Sequence, residues 1–191
     1  MKDGFIKVAA ASPVIKVADA EYNADRVIEY IRDAAGKGVK VLVFPELTLT
    51  GCTCYDLIGH KVLLEGAKKA LLRVVEATEG TDMLVFVGLP FAAGSRLYSC
   101  AAVISAGELL ALVPRENVKN SPFARPDKDG IEVELGELSA LLSTDCLFDC
   151  PALPGLRVAV ELGADMDAIV PPAVRHAVAG ATVIALSLIH I

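Results

Sequence analysis

Three residues stand where chemistry could be placed, because each comes directly after a stretch that reads as a buried strand. Glu46 follows the Val-rich run at 39–44 and Pro45, which ends the run by removing a ladder donor. Arg115 follows Val113-Pro114, and Gly163 follows Leu162 at the end of LRVAVEL. If these strands share a sheet, the three residues can converge at one end of it as one carboxylate, one fixed cation and one gap. A carboxylate at the edge of a core loses solvent, which raises its pKa toward that of a useful base. The competing reading of Glu46, taken alone, is a cap or ion pair at the surface.

Other residue types that carry chemistry form weaker patterns. The five cysteines, Cys52, Cys54, Cys100, Cys146 and Cys150, are an odd set with no C-x-x-C pair and no His at metal-ligand spacing. Neither a disulfide framework nor a zinc site is expected, and a reducing cytoplasm fits best. Asp165 and Asp167 make a D-x-D pair after a strand end, but two carboxylates alone are a poor cation signal. His60 at the start of a helix and His176 inside one read as surface or packed histidines. No metal is expected.

The composition narrows the function classes. At 191 residues the chain suits one domain, and 54% hydrophobic against 22% charged residues argues against disorder. A net charge of −6, with no Lys/Arg stripe interleaved with aromatics, gives nucleic acid no footprint. The longest uncharged run, 177–191, falls short of the roughly 18 apolar residues a bilayer span needs, so no membrane association is expected. The last six residues, LSLIHI, read as the translation of a sequencing adapter, a scar at 186–191 expected to lie outside the fold.

The elements that must position Glu46, Arg115 and Gly163 are legible in the periodicity. A strand at 5–11 leads to a helix that Asp19 or Asn23 can cap, with Ala24, Val27, Ile28, Ile31 and Ala35 on one face and Gly36 and Gly38 as its stop. The strand at 39–44 follows. Val62, Leu63, Ala67, Ala70, Leu71, Val74 and Val75 mark a second amphipathic helix ending near Gly80. Residues 83–89 predict a strand stopped by Pro90, and 97–104 with 108–113 a hairpin. Residues 114–130 form a long polar loop of the length that usually carries function. A short strand at 144–148, the strand at 156–162, a helix from Pro171-Pro172 to about Ala179 and a strand at 181–185 complete the pattern. The order predicts an α/β fold with a mixed sheet and helices on its outer side.

Several segments in this order, VLVFPELTLTG, LVFVGLP, LYSCAAV, LLALVPR, TDCLFDC with LPGLRVAVELGAD, and IVPPAVRHAVAGATVI, resemble the amidohydrolase (glutaminase) domain of glutamine-dependent NAD+ synthetase. That domain belongs to the nitrilase, or carbon–nitrogen hydrolase, superfamily, and the similarity runs over residues 1 to about 185. The resemblance implies an αββα sandwich, here incomplete at the C-terminus, and a Glu-Lys-Cys triad. In such a triad the thiolate attacks the glutamine side-chain amide, Glu relays protons and Lys stabilises the oxyanion, before a thioester is hydrolysed. The ammonia passes to an ATP-dependent synthetase domain, which is expected to be absent from this chain. No cofactor is therefore expected in this domain, ATP and the dinucleotide substrate belonging to the other. Glutamine is the implied small-molecule ligand, and a homo-oligomer is the implied assembly.

Carried over by position, Glu46 in PEL matches the general base. The lysine expected after Val-Pro is Arg115, and the E-I-C-E-D pattern reads Glu161-Leu162-Gly163-Ala164-Asp165, with Gly163 at the vacant nucleophile position. Cys52 replaces an aromatic residue after Gly51. Lys119 could reach the lysine's place, and Cys52, Cys54, Cys146 or Cys150 could in principle supply a thiol; otherwise these are a solvated loop charge and inert packed cysteines. A guanidinium differs from an ammonium in reach and donor geometry, and glycine supplies no nucleophile, a loss on the order of 10⁴ to 10⁶ in turnover in comparable triads. The expectation is a retained fold without hydrolysis. The alternative is a pseudoenzyme or scaffold that binds glutamine or a partner subunit.

Overall fold

The structure is a computed structural model that describes residues 5–127 and 129–189. His190 lies outside the described residues. The first unit is β1 (Val8–Ala10), α1 (Ala20–Gly36) and β2 (Val41–Val43), with β1 and β2 parallel. Asp19 caps α1, its carboxylate accepting from the Tyr22 N–H at 3.1 Å. Asn23, the other candidate cap, is instead fully buried one turn into the helix. Its side chain accepts from the Lys16 N–H and donates to the carbonyls of Lys16 and Leu49, pinning the chain just after Glu46 to α1.

After α2 (Lys61–Glu76) come β3 (Leu84–Ala93), β4 (Arg96–Ser105) and β5 (Glu108–Pro114), an antiparallel meander whose first strand is parallel to β2. The sequence pattern predicts that Pro90 stops β3, but the strand continues three residues further. β2 pairs with β3 only as far as Phe86, so beyond that point the missing proline N–H leaves no ladder bond unmade on that edge. A hairpin that the sequence reading did not anticipate, β6 (Ile131–Leu135) and β7 (Leu138–Leu142), closes the sheet, giving the order β1-β2-β3-β4-β5-β7-β6.

A second sheet holds β8 (Phe148–Asp149), β9 (Arg157–Leu162) and β10 (Val183–Ser187), in the order β10-β9-β8, with α3 (Pro172–Val178) between the last two strands in sequence. β10 runs parallel to β9 and pairs Leu186 and Ser187 with Glu161 and Leu162, so it extends two residues into the segment read as an adapter-derived tail.

Strand alternation sends the two faces of the large sheet to different neighbours. Leu42, Val85, Val87, Cys100, Ala102, Ile104 and Leu112 pack with the inner faces of α1 and α2. Val41, Phe86, Ala101, Val103 and Val113 meet Val158, Val160, Leu162 and Ala185 of the small sheet. On the outer face of that sheet, Glu161 accepts the Ala173 N–H of α3. The layers are therefore helices, large sheet, small sheet and helix: the expected α/β sandwich with a mixed sheet. No helix among the described residues is long and apolar enough to cross a membrane.

Candidate active site

Glu46 reaches its place because Pro45-Glu46-Leu47 crosses β3 at Gly88. A Cβ on Gly88 would lie 2.3 Å from the Leu47 nitrogen and 2.4 Å from the Pro45 carbonyl oxygen, so only glycine permits this approach. Leu47 turns with a positive φ of 57°, and the Leu49 N–H bonds the Gly88 carbonyl. On its other side the Glu46 N–H donates to the Leu188 carbonyl at 2.9 Å. The side chain then points into the space between the two sheets, with no exposure to solvent.

Arg115 meets it there. Its Nη1 donates to Glu46 Oε1 at 2.7 Å, and the hydroxyl of Ser99 donates to the same oxygen at 2.6 Å. The guanidinium is itself held by Ser121 Oγ at 2.8 Å and lies over the Phe123 ring at 5.4 Å. Phe123 packs with Leu47, Cys54, Ile58 and Leu63, so the long loop after β5 folds over the carboxylate and seals it.

The loop is tied down from the β9 side by Asp165. Its carboxylate accepts the N–H groups of Glu116 at 3.0 Å and Asn117 at 2.5 Å, while the Asn117 side chain donates to the Ala164 carbonyl. Burial is the larger influence on Asp165 and pushes its pKa up to about 6 against the opposing effect of those N–H bonds. Asp167 is exposed on the same turn, so the D-x-D pair does not converge, and no cluster of metal-ligating side chains occurs among the described residues.

Gly163 completes the arrangement in an unusual way. It is buried, with φ of +43°, and a Cβ built on it would lie 2.1 Å from Glu46 Oε2. The carboxylate therefore occupies the space a side chain at 163 would need. Oε2 has no hydrogen-bond partner, nor does Nε of Arg115. The three strand-end residues do converge, but as a closed ion pair pressed against a glycine.

Cys52 and Cys150 are half-buried, and the other candidates are either exposed or covered where charge is disfavoured. Lys119 is exposed on the loop, and His60 is exposed at the start of α2. His176 is buried on α3, where burial lowers its pKa. Burial raises the thiols of Cys54, Cys100 and Cys146, that of Cys100 far beyond its ordinary value, with the nearby Glu46 charge adding to it. Ser99, unnoticed in the sequence reading, is the residue most directly bonded to Glu46 besides Arg115. Its signal was a small polar residue, beside Tyr98, in a strand whose centre is otherwise mostly apolar.

The sequence model of the carbon-nitrogen hydrolase family matches residues 7–139, which include Glu46, Ser99 and Arg115. The chain belongs to the carbon-nitrogen hydrolase family. Among similar curated proteins, the glutamine-dependent NAD(+) synthetase of Mycobacterium leprae is 34% identical over 189 residues, covering 95% of this chain and 28% of that protein. That of Mycobacterium tuberculosis is 35% identical over 191 residues, with the same shares. The chain thus spans between a quarter and a third of the length of those relatives. Among solved structures, a glutamine-dependent NAD(+) synthetase from Cytophaga hutchinsonii superposes with a TM-score of 0.79 at 21% identity, over 95% of this chain and 30% of that one. An amidase from Nesterenkonia sp. gives 0.67 at 16% identity, over 96% and 65%. The fold of this chain is theirs.

Proposed function

We propose that this chain is a non-hydrolytic counterpart of the glutamine amidohydrolase unit of NAD+ synthetase. Glu46 stands at the general-base position, Arg115 at the lysine position and Gly163 at the vacant nucleophile position. The observation that carries this reading is the 2.1 Å between Glu46 Oε2 and a Cβ built on Gly163. A hydrolase of this kind needs a thiolate facing an amide carbon, with the base within reach of its proton. Here the base fills the nucleophile's space, and its other oxygen is engaged by Ser99 and Arg115.

Among the described residues, neither Ser99 nor Cys100 supplies a replacement. The Ser99 hydroxyl is buried and already donates to Glu46, and Cys100 is held neutral by burial. Arg115 makes a fixed ion pair with the base where an oxyanion donor would be needed, its Nη1 engaged by Glu46 and its Nη2 by Ser121. The match to the synthetases over nearly the whole chain supports glutamine as the amide its active counterparts would take.

The test is covalent trapping. The purified chain is incubated with an electrophilic glutamine analogue that alkylates glutaminase nucleophiles, and its intact mass is measured. The reading expects no adduct. A single-site adduct that disappears in Glu46→Gln would overturn it.

A further inference from the structure

Residues 116–123, the part of the loop after β5 that covers Glu46, are held on two sides. On the inner side Ser121 Oγ accepts from Arg115 Nη2 at 2.8 Å, and Phe123 packs with Leu47, Cys54, Ile58 and Leu63. On the outer side the hold is Asp165, in the turn Gly163–Asp167 after β9. Its Oδ1 accepts the N–H groups of Glu116, at 3.0 Å, and Asn117, at 2.5 Å, and its Oδ2 shares the Glu116 N–H at 3.1 Å. The Asn117 side chain donates to the Ala164 carbonyl at 2.7 Å, and Arg175 of α3 pairs with Glu116 at 2.6 Å. That ion pair is partly exposed and contributes little. The buried contact, with Asp165 only 2% exposed, decides whether the loop stays down.

Asp165 is also the contact whose charge conflicts with its surroundings. Glu116 faces it from the loop and Arg115 from the root of the loop. From α3 come Arg175, shared between Glu116 and Asp145, and His176, which is buried with its pKa lowered by burial. β9 contributes Glu161, buried and accepting the Ala173 N–H, with Oε1 lacking a hydrogen-bond partner among the described residues. Lys119 and Arg125 are exposed along the same cleft, and Asp167 is exposed on the turn itself. Of these groups Asp165 is the one that bonds the loop backbone. Burial outweighs those N–H bonds, the Glu116 charge adds to it and Arg115 opposes it, so the carboxyl is pushed up to about 6.

Lifting the loop puts that carboxyl in water, where it ionises with an ordinary pKa of about 3.9. Because the closed arrangement raises the value, the hold on the loop is complete in acid and is lost as pH rises through about 6. The proton has a place, since Oδ1 keeps both N–H groups when Oδ2 carries it.

We propose that residues 116–123 form a pH-controlled lid over Glu46, latched by protonated Asp165 and released when that carboxyl ionises. The lid governs access to Glu46 and Arg115 and does not depend on whether the site hydrolyses an amide.

The experiment is amide hydrogen exchange of the full chain, followed residue by residue by NMR at pH 5 and pH 7.5 and corrected for intrinsic exchange rates. The Glu116 and Asn117 N–H groups report the latch. The Phe123 N–H, bonded to Ser121 Oγ at 3.1 Å, reports the far end of the lid, and Ala101 and Ala102 of β4 report global unfolding. With pKa values of about 6 closed and about 3.9 open, the open population should rise about tenfold from pH 5 to pH 7.5. That rise is expected at all three loop amides, each opening at least tenfold more often than β4 at both pH values. Asp165→Asn should remove the response and keep the loop protected at pH 7.5, whereas Glu161→Gln should keep the response; circular dichroism confirms that each is folded. Loop amides that open only as often as β4, a rise below threefold, or an unmoved Phe123 would overturn the proposal. So would a full response in folded Asp165→Asn or its loss in folded Glu161→Gln. If Asp165→Asn does not fold, the parent and Glu161→Gln profiles decide by the same criteria.

Discussion

Adding one methyl group at Gly163 probes the closed site directly. In Gly163→Ala the new Cβ would start 2.1 Å from Glu46 Oε2, so the carboxylate must retreat by about 1 Å to reach tolerable contact. It has no solvent to retreat into, and Oε1 is held at 2.6 Å by Ser99 and 2.7 Å by Arg115. Movement on that scale forfeits one charge-assisted hydrogen bond, about 1.5–3 kcal/mol. Holding alanine at φ of +43° adds about 1–2 kcal/mol. The expected loss is therefore about 2.5–5 kcal/mol, a large share of the roughly 5–15 kcal/mol that a domain possesses. With Glu46→Ala already in place, only the backbone cost remains, so the double-mutant cycle should return a coupling of about 1.5–3 kcal/mol. Urea unfolding of the four proteins gives all terms. A Gly163→Ala chain within 1 kcal/mol of the parent, or a coupling near zero, would refute the idea that the carboxylate fills this space.

Three further outcomes follow from the same contacts. Arg115→Met leaves a buried carboxylate without its cation and should cost about 3–5 kcal/mol in urea unfolding, most of it recovered in Glu46→Gln/Arg115→Met. Gly88→Ala drives a methyl into the backbone at Pro45 and Leu47, which cannot yield, so little folded soluble protein is expected, in contrast to Ser139→Ala on the exposed side of β7. Asp165 titrates higher in the fold, at about 6, than in an unfolded chain. Its stabilising contribution is present in full below about pH 4 and is lost as pH rises through about 6. The stability of the parent relative to Asp165→Asn should accordingly fall by about 3 kcal/mol between pH 4 and pH 7.5, measured by urea unfolding of both proteins across that range.

The strand-end positions of Glu46, Arg115 and Gly163 were legible because each depends on a local pattern, an apolar run followed by Pro or a turn. What they do to one another was not. The collision between Glu46 and a side chain at 163 spans 117 positions of sequence and depends on where β2 and β9 sit in different sheets. Asp165 gave no local sign of its clamp on Glu116 and Asn117, which lie 49 and 48 residues away. β6 and β7 were hidden for another reason. Val133, Leu135, Ala140 and Leu142 are buried, but their alternating neighbours Glu132, Glu134, Ser139 and Leu141 face solvent, so the apolar signal is half as dense as in β3 or β4. Pro90 misled because a proline forbids a strand only where its missing donor would have had a partner.

Ammonia release from glutamine by the purified chain tests the central claim most directly. The closed Glu46–Arg115–Gly163 arrangement predicts a rate no higher than that of Glu46→Gln, at the background of the assay. Turnover that Glu46→Gln abolishes would contradict it, because it would show a working nucleophile where the structure places a glycine.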